Sequence, residues 1–177
     1  MTYDEVIHFL YNSLPVFHRE GKKAYKPGLD NIVTLCDQLN NPQHSFKSLH
    51  IAGTNGKGSS SHFIASILQE HGFKVGLYTS PHLKSFTERI KINGIEVSKE
   101  WVSTFVSEKK NIIQEVSPSF FEWTVAMAFS YFKEQQVDWA IIETGLGGRL
   151  DSTNIITPLA QPSVNTCIAR HSLRATL

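Results

Sequence analysis

The chain has 177 residues, of which 41% are hydrophobic and 19% are charged, and its formal net charge at pH 7 is +1. This length suits one domain with a substantial core, and the composition is that of a soluble globular protein. A charge so close to zero gives no bulk attraction to nucleic acid or to anionic membranes. Any affinity for phosphate groups must therefore come from a local site.

The chain contains two cysteines, Cys36 and Cys167, which is too few for a disulfide framework. Cys36 falls on the apolar stripe of a predicted helix, as a buried thiol would. The N-terminus has no apolar run of signal-peptide length, and no stretch is apolar enough to span a membrane. We therefore expect a cytoplasmic protein.

Helical spacing of apolar residues predicts two helices at the start of the chain. The first covers residues 2–14, where Thr2 and Glu5 are placed for a capping box. The second covers residues 29–39 and is ended by an Asn-Asn-Pro sequence. The polar, basic segment FHREGKKAYKPG connects them.

The hydrophobic period changes at Phe46. Residues 46–52 predict a strand, which is followed by a glycine-rich loop, a helix and a second strand over residues 74–79. The helix carries Phe63, Ile64, Ile67 and Leu68. A strand, a helix and a strand within about 35 residues form a βαβ unit, which implies a parallel sheet covered by helices.

The remaining pattern completes an α/β fold. Residues 88–97 predict a hairpin with Asn93-Gly94 at its turn, and Ser98 is placed to cap a helix that bears Trp101, Val102, Phe105 and Ile112. An aromatic-rich helix follows over residues 119–133, and a buried strand over residues 137–144. The predicted fold class is a mostly parallel sheet flanked by helices, similar to that of P-loop NTPases.

The glycine-rich loop GTNGKGS lies between the first strand and its helix. It departs from the usual G-x-x-x-x-G-K-[ST] pattern, because Ile51 stands five residues before Gly56 and Gly58 separates Lys57 from Ser59. In this context, backbone N–H groups and a helix N-terminus favour bound phosphate, lysine adds a full charge, and a serine hydroxyl suits Mg²⁺. The alternative is an ordinary turn between a strand and a helix.

Two further polar residues are predicted at the same edge of the sheet. Glu143 ends an apolar strand, and Ser80 follows the strand over residues 74–79. Ligands of open α/β sheets bind at the carboxyl ends of the strands, so both residues are candidate Mg²⁺ ligands. For each, the alternative is a solvated polar residue at a strand end.

The sequence GLGGR after Glu143 suggests a dinucleotide-binding motif, but Leu150 occupies the position of the last glycine in G-x-G-x-x-G. We therefore reject that interpretation. Gly145, Gly147 and Gly148 more simply allow the backbone to approach a ligand or an opposing loop.

Taken together, GTNGKGS, LYTSPHLKSFTERIKING, SFFEWT and IETGLGGRLDSTNI resemble the N-terminal ATPase domain of the folylpolyglutamate synthase/dihydrofolate synthase family, a branch of the Mur ligase superfamily. The resemblance covers residues 2–158 in order. In this group the phosphate loop has the sequence pattern GTNGK[GT][ST]. It implies an ATP-binding domain over residues 1–158. It favours the folate branch over a cell-wall amino-acid ligase, because TSPHL and FFEWT are folate-branch forms.

The resemblance implies a role for each matching position. Lys57 and Glu143 would be catalytic, and Ser80 and Glu143 would bind Mg²⁺. The segment that ends in KPGL would close over the acceptor. The ATP phosphates would be held by Thr54, Asn55, Gly56, Lys57, Gly58 and Ser59. The pteroate would be held by Ser119, Phe120, Phe121, Glu122, Leu150, Asp151 and Ser152, with Phe121 stacked on the pterin ring.

The chemistry that the resemblance implies is ATP-dependent amide ligation. The γ-phosphoryl group of ATP is transferred to a carboxylate of dihydropteroate or folate, and the amine of L-glutamate then attacks the acyl phosphate, with release of ADP and phosphate. The implied cofactor is Mg²⁺. The implied partners are ATP, dihydropteroate or folate, and L-glutamate, and the full-length family is monomeric.

After Leu159 the sequence AQPSVNTCIARHSLRATL departs from the family pattern, which continues into a second metal-binding motif and a C-terminal domain. We therefore expect residues 159–177 to be a divergent tail, with no metal role for His171, and the chain to be a truncated or frame-shifted member. Such a chain would expose an apolar edge and associate. Two other functions stay open: a phosphotransferase of another P-loop class, and a nucleotide-binding remnant without catalysis.

Overall fold

The computed structural model describes residues 1–16, 28–145, 149–161 and 163–164. Three sets of sequence-based predictions lie outside the described residues. These are the closing segment up to Pro27, the glycines at 147 and 148, and most of the divergent tail with Cys167 and His171.

The described strands form one mixed, mostly parallel sheet. They are β1 (Lys47–Gly53), β2 (Val75–Tyr78), β3 (Ile90–Ile92), β4 (Ile95–Glu96), β5 (Trp139–Glu143) and β6 (Ser163–Val164). Their order is β4-β3-β2-β5-β1-β6. Strand β5 is parallel to both β1 and β2, and β3 and β4 add an antiparallel edge. The predicted fold class is confirmed.

The βαβ unit has a feature that the pattern of the chain does not indicate. Strands β1 and β2 are parallel, but they are not neighbours, because β5 lies between them. Of these three strands, β5 comes last in the chain and lies in the middle of the sheet. Its last residue, Glu143, pairs in register with Ile51 of β1, three positions before the glycine loop begins at Thr54.

The described α-helices are α1 (Tyr3–Ser13), α2 (Asp30–Gln38), α3 (Lys57–Glu70), α4 (Lys99–Glu108), α5 (Lys110–Val116) and α6 (Phe120–Glu134). The capping box of Thr2 and Glu5 is present, as is the Ser98 cap on α4. The single helix predicted beyond Ser98 is wrong. The backbone leaves helical geometry at Lys109, so Ile112 belongs to α5.

The two faces of the sheet carry separate cores. Helix α3 covers one face, where Ile51, Leu77 and Ile141 are buried. The other helices cover the opposite face, on which Tyr78, Ile142 and the aromatic side chains of α6 pack. Because β5 is covered on both sides, its run of apolar residues is continuous and not alternating.

Helix α3 is only partly packed against the sheet. Ile64 and Leu68 contact the core, whereas Phe63 and Ile67 are 70% and 58% exposed. The four apolar residues of the predicted helix therefore divide between two faces. An apolar patch, defined by Phe63 and Ile67, faces outward from α3.

Candidate active site

The glycine loop joins β1 to α3 at the carboxyl edge of the sheet. Gly56 lies immediately before α3 with φ of 74° and ψ of 3°, a left-handed conformation that favours glycine. Thr54, Asn55, Gly56 and Ser59 are exposed. The Lys57 side chain folds back over the loop, where its Nζ donates to the Gly53 carbonyl oxygen at 2.9 Å. The loop therefore presents backbone and a lysine together at the surface.

Glu143 lies directly beneath the start of α3. A Cβ atom built on Gly58 would be 3.7 Å from Glu143 Oε2 and 3.9 Å from Oε1, so the loop and this carboxylate are in close proximity. The Ser80 backbone N–H donates to Glu143 Oε2 at 3.1 Å. Residues that follow β1 and β2 thus lie close to the last residue of β5, as their positions near the strand ends predict.

The Glu143 carboxyl group is only 5% exposed. Burial raises its pKa, and the Ser80 hydrogen bond and the charges of Lys57 and His62 only partly oppose that effect. The ionised form is therefore short of compensating positive charge. A buried carboxylate in this condition is stabilised by an added cation.

The SFFE segment forms the first turn of α6. Ser119 caps the helix: its backbone N–H and its hydroxyl both donate to Glu122 Oε2, at 2.6 and 2.8 Å, and its Oγ accepts the Glu122 N–H. Phe120 is buried and stacks on Tyr11, with ring centroids 4.8 Å apart. Three of these four residues are thus committed to the helix start and the core. Phe121 remains half-buried, with its ring centroid 6.3 Å from that of Tyr78.

The Leu150–Ser152 segment meets Phe121 at Gly145. Asp151 is 3% exposed, and its Oδ2 accepts the Gly145 N–H at 2.9 Å. A Cβ atom on Gly145 would lie 2.6 Å from Phe121 Cε2, so the far end of the ring packs closely against the glycine backbone. Leu150 is 40% exposed, and Ser152 is buried. The prediction that Gly145 allows a close backbone approach agrees with this geometry.

Two polar groups near the site, the buried His50 and the half-buried His82, were not predicted as functional. His50 on β1 bonds to Thr153, and His82 bonds to both Tyr11 and Arg89. The Arg89 Nε donates to His82 Nδ1 at 2.7 Å, and burial and the Arg89 charge lower the pKa of His82. A histidine within an apolar strand signals such a network, because a buried polar side chain needs a partner.

The site has few protein groups for a metal ion. Within the described ranges, no group of three or more histidine, cysteine, aspartate or glutamate residues is placed to hold one. The candidates are Ser80 and Glu143, and a Mg²⁺ ion bound there would complete its coordination with water and substrate phosphate oxygens, as it usually does.

Among the residues that the structure describes, no helix is long and apolar enough to cross a membrane.

The fold and this edge of the sheet define an α/β domain of the P-loop NTPase-like type found in Mur ligases. No protein-family model matches the chain. Over 149 residues it is 44% identical to the dihydrofolate synthase/folylpolyglutamate synthase of Bacillus subtilis, a match that covers 80% of this chain and 35% of that protein.

Solved structures give the same result. The folylpolyglutamate synthase of Thermotoga maritima matches with a TM-score of 0.82 and 43% identity, over 92% of this chain and 38% of that one. A folylpolyglutamate synthase solved as a complex with AMPPCP and folate matches with a TM-score of 0.81 and 34% identity, over 97% of this chain and 42% of that one.

The chain therefore belongs to the folylpolyglutamate synthase/dihydrofolate synthase family and corresponds to its N-terminal domain. It spans between 20% and 37% of the length of curated relatives that it matches, with 35% of the Bacillus subtilis protein covered.

Proposed function

We propose that this chain forms the nucleotide- and acceptor-binding part of an ADP-forming amide ligase. The ligase would add L-glutamate to dihydropteroate or folate through an acyl phosphate. The observation that carries the proposal is the proximity of Glu143 to the glycine loop. Its Oε2 lies 3.7 Å from the position that a Cβ atom on Gly58 would occupy. The complex of a similar synthase with AMPPCP and folate supports both ligand classes.

In this proposal, the loop of Thr54, Asn55, Gly56, Lys57, Gly58 and Ser59 holds the ATP phosphates. Four of these residues are exposed, and Lys57 and Gly58 are half-buried at the start of α3, where backbone N–H groups without helical partners favour anionic oxygens. The Lys57 ammonium group carries a full charge and is held at the loop by Gly53. On nucleotide binding we expect it to exchange this carbonyl for phosphate oxygens.

The residues present fit Mg²⁺. Glu143 offers a buried carboxylate whose pKa is raised by burial, and among the described residues its one hydrogen-bond donor is the Ser80 N–H. Oxygen donors from a carboxylate and a hydroxyl are those that this cation prefers. When bound, the ion would neutralise charge on the transferring phosphoryl group.

The acceptor would lie on the Phe121 side of the same edge. A carboxylate is a poor acyl donor until phosphorylation gives it a better leaving group, and an acyl phosphate must be kept from water. Phe121 offers an aromatic face to a flat ring system, and its packing on Gly145 fixes the orientation of that face. A pterin stacked there would direct its benzoate end toward the loop, so that the carboxylate meets the γ-phosphate.

The test measures ADP release by the chain with ATP, dihydropteroate and L-glutamate, omitting each in turn. We expect release to require the acceptor, and Lys57→Ala to lower it by about 10²-fold, since removal of one charged or hydrogen-bonding stabiliser typically costs that much. Lys47→Ala is the matched control, because Lys47 is an exposed lysine at the opposite end of β1. Equal release by the wild-type and Lys57→Ala chains would contradict the proposal, and release that requires a hydroxyl acceptor would indicate a phosphotransferase.

A second candidate is nucleotide binding without turnover. The observation that favours it is the short length of the chain relative to its relatives, since the matches cover only 35–42% of the length of those described above. This function predicts saturable AMPPCP binding that depends on Lys57, together with no acceptor-dependent ADP release. Calorimetric titration with AMPPCP, run beside the release assay, separates the two candidates.

A further inference from the structure

A line of buried hydrogen bonds connects the middle of β1 to the peptide that follows β5. His50 is 4% exposed, and its Nε2 lies 2.8 Å from the Oγ1 of Thr153, which is fully buried. The Thr153 hydroxyl also bonds to Asp151 Oδ1, which accepts the Thr153 N–H at 3.0 Å. The other oxygen, Oδ2, accepts the Gly145 N–H at 2.9 Å.

The direction of each hydrogen bond follows from the chemistry of the groups. An ionised carboxylate only accepts, so the Thr153 hydroxyl must donate its single proton to Asp151. That hydroxyl can then only accept from His50, whose Nε2 therefore carries a proton. The chain of donors runs from His50 to Thr153 to Asp151, and the Gly145 N–H donates to the same carboxylate from the other side.

This network holds Gly145 in place from one side, and Phe121 packs on it from the other. A side chain at position 145 would overlap the Phe121 ring, so even a small shift of this peptide would change the surface on which the ring rests. Gly145 also lies two residues after Glu143, the last residue of β5. The network is thus placed to set the geometry of the acceptor side of the site.

We propose that Thr153 and His50 are positioning residues, which hold Asp151 and the Gly145 peptide so that Phe121 presents its face to a flat heterocyclic acceptor. The inference rests on the proposed function, because it takes Phe121 as the acceptor-stacking residue. Both positioning residues are buried. We expect their effect on acceptor binding, because the Gly145 peptide that they hold packs against Phe121.

The test compares Thr153→Val with Thr153→Ser in the 177-residue chain. Valine keeps the shape but removes the hydroxyl, whereas serine keeps the hydroxyl. His50→Leu and His50→Gln form a second pair, since the glutamine amide can place an N–H near the position of Nε2. The readouts are hydrogen exchange at the Gly145 amide by NMR, and the dissociation constants for folate and for AMPPCP by calorimetry.

We expect Thr153→Val to speed exchange of the Gly145 amide and to weaken folate binding about tenfold, the usual effect of losing a hydrogen bond to a charged group. Binding of AMPPCP should change by less than about twofold, and serine should restore wild-type values. Wild-type exchange at Gly145 in Thr153→Val overturns the proposal, and so does equal weakening of folate and AMPPCP binding. A wild-type chain that binds AMPPCP but not folate overturns the acceptor part of the proposed function, and this inference falls with it.

Discussion

Replacing Gly145 with alanine would place a methyl group inside the contact surface of the Phe121 ring. The new Cβ would lie 2.6 Å from Cε2 of the ring and closer still to Cζ. Carbon atoms attract best at about 3.5–4.0 Å, so the ring has to move by about an ångström or more. The Gly145 peptide resists movement in the other direction, because its N–H is bonded to Asp151.

Forcing a methyl group into a packed site typically costs about 1–3 kcal/mol. For a chain of this size, each kcal/mol lowers the melting temperature by about 2–4 °C, so the expected decrease is about 2–12 °C. Phe121 is half-buried and has room to rotate toward solvent, which favours the lower half of that range. The same rotation removes the stacking face, so folate binding should weaken more than AMPPCP binding.

The assay is thermal unfolding followed by circular dichroism, combined with titration of both ligands. The control is Phe121→Ala, which removes the ring that the methyl group meets. Adding Gly145→Ala to this variant should lower the melting temperature by less than it does in the wild-type chain. An equal decrease in both backgrounds would show that the ring is not the obstacle, and an unchanged melting temperature in the single variant would refute the steric argument.

Three further predictions follow from the burial or exposure of single side chains. Burial raises the pKa of Glu143 above the ordinary carboxyl pKa of 4.5. Between these two pKa values the native state keeps a proton that the unfolded chain has released. The free energy of unfolding therefore falls as pH rises through this range, and it stays reduced at higher pH. Metal-free Glu143→Gln should therefore melt higher than the wild-type chain at pH 7, with the difference closing at low pH, and a lower melting temperature at pH 7 would contradict this. Burial also raises the pKa of the Cys36 thiol to about 12, so iodoacetamide at pH 8 should label the Cys36 peptide only after unfolding; labelling of the native chain, detected by mass spectrometry, would count against burial. The apolar patch of Phe63 and Ile67 should cause association at micromolar concentration, and the double substitution to serine should reduce it in size-exclusion chromatography; identical elution of both chains as monomers would exclude that role for the patch.

Local patterns in the sequence predict most of the elements. The capping box at Thr2, the Asn93-Gly94 turn and the strand ended by Glu143 are all present, because short-range sterics and hydrogen bonds decide them. The order of strands is a different matter. Nothing in the local pattern indicates that β5 inserts between β1 and β2, since strand neighbours are chosen by packing between distant segments.

The same distinction holds within the candidate site. The strand-end rule brings Lys57, Ser80 and Glu143 to one edge, and the structure places them together there. The close packing of Phe121 on Gly145 and the hydrogen bond from His50 to Thr153 join residues far apart in the chain. Sequence spacing carries no signal for such contacts, apart from the general need of a buried histidine for a partner.

The two glycines on either side of Lys57 have different physical roles, which substitution can separate. Gly56 has φ of 74°, where an L-residue costs about 1–2 kcal/mol, whereas Gly58 lies in the first turn of α3, where alanine is favoured over glycine by about 1 kcal/mol. A Cβ atom on Gly58 would be 3.7 Å from Glu143, an ordinary contact distance.

Gly56→Ala should therefore weaken AMPPCP binding about 5- to 30-fold, since the strain is relieved only by turning loop N–H groups away from the phosphates. Gly58→Ala should keep the wild-type affinity within a few-fold and should melt at the same temperature or slightly higher. Calorimetry and thermal unfolding measure both effects on the same samples. If Gly58→Ala binds AMPPCP more weakly than Gly56→Ala does, the reasoning is wrong. Nucleotide binding would then require the space beside Glu143 and not the left-handed turn before Lys57.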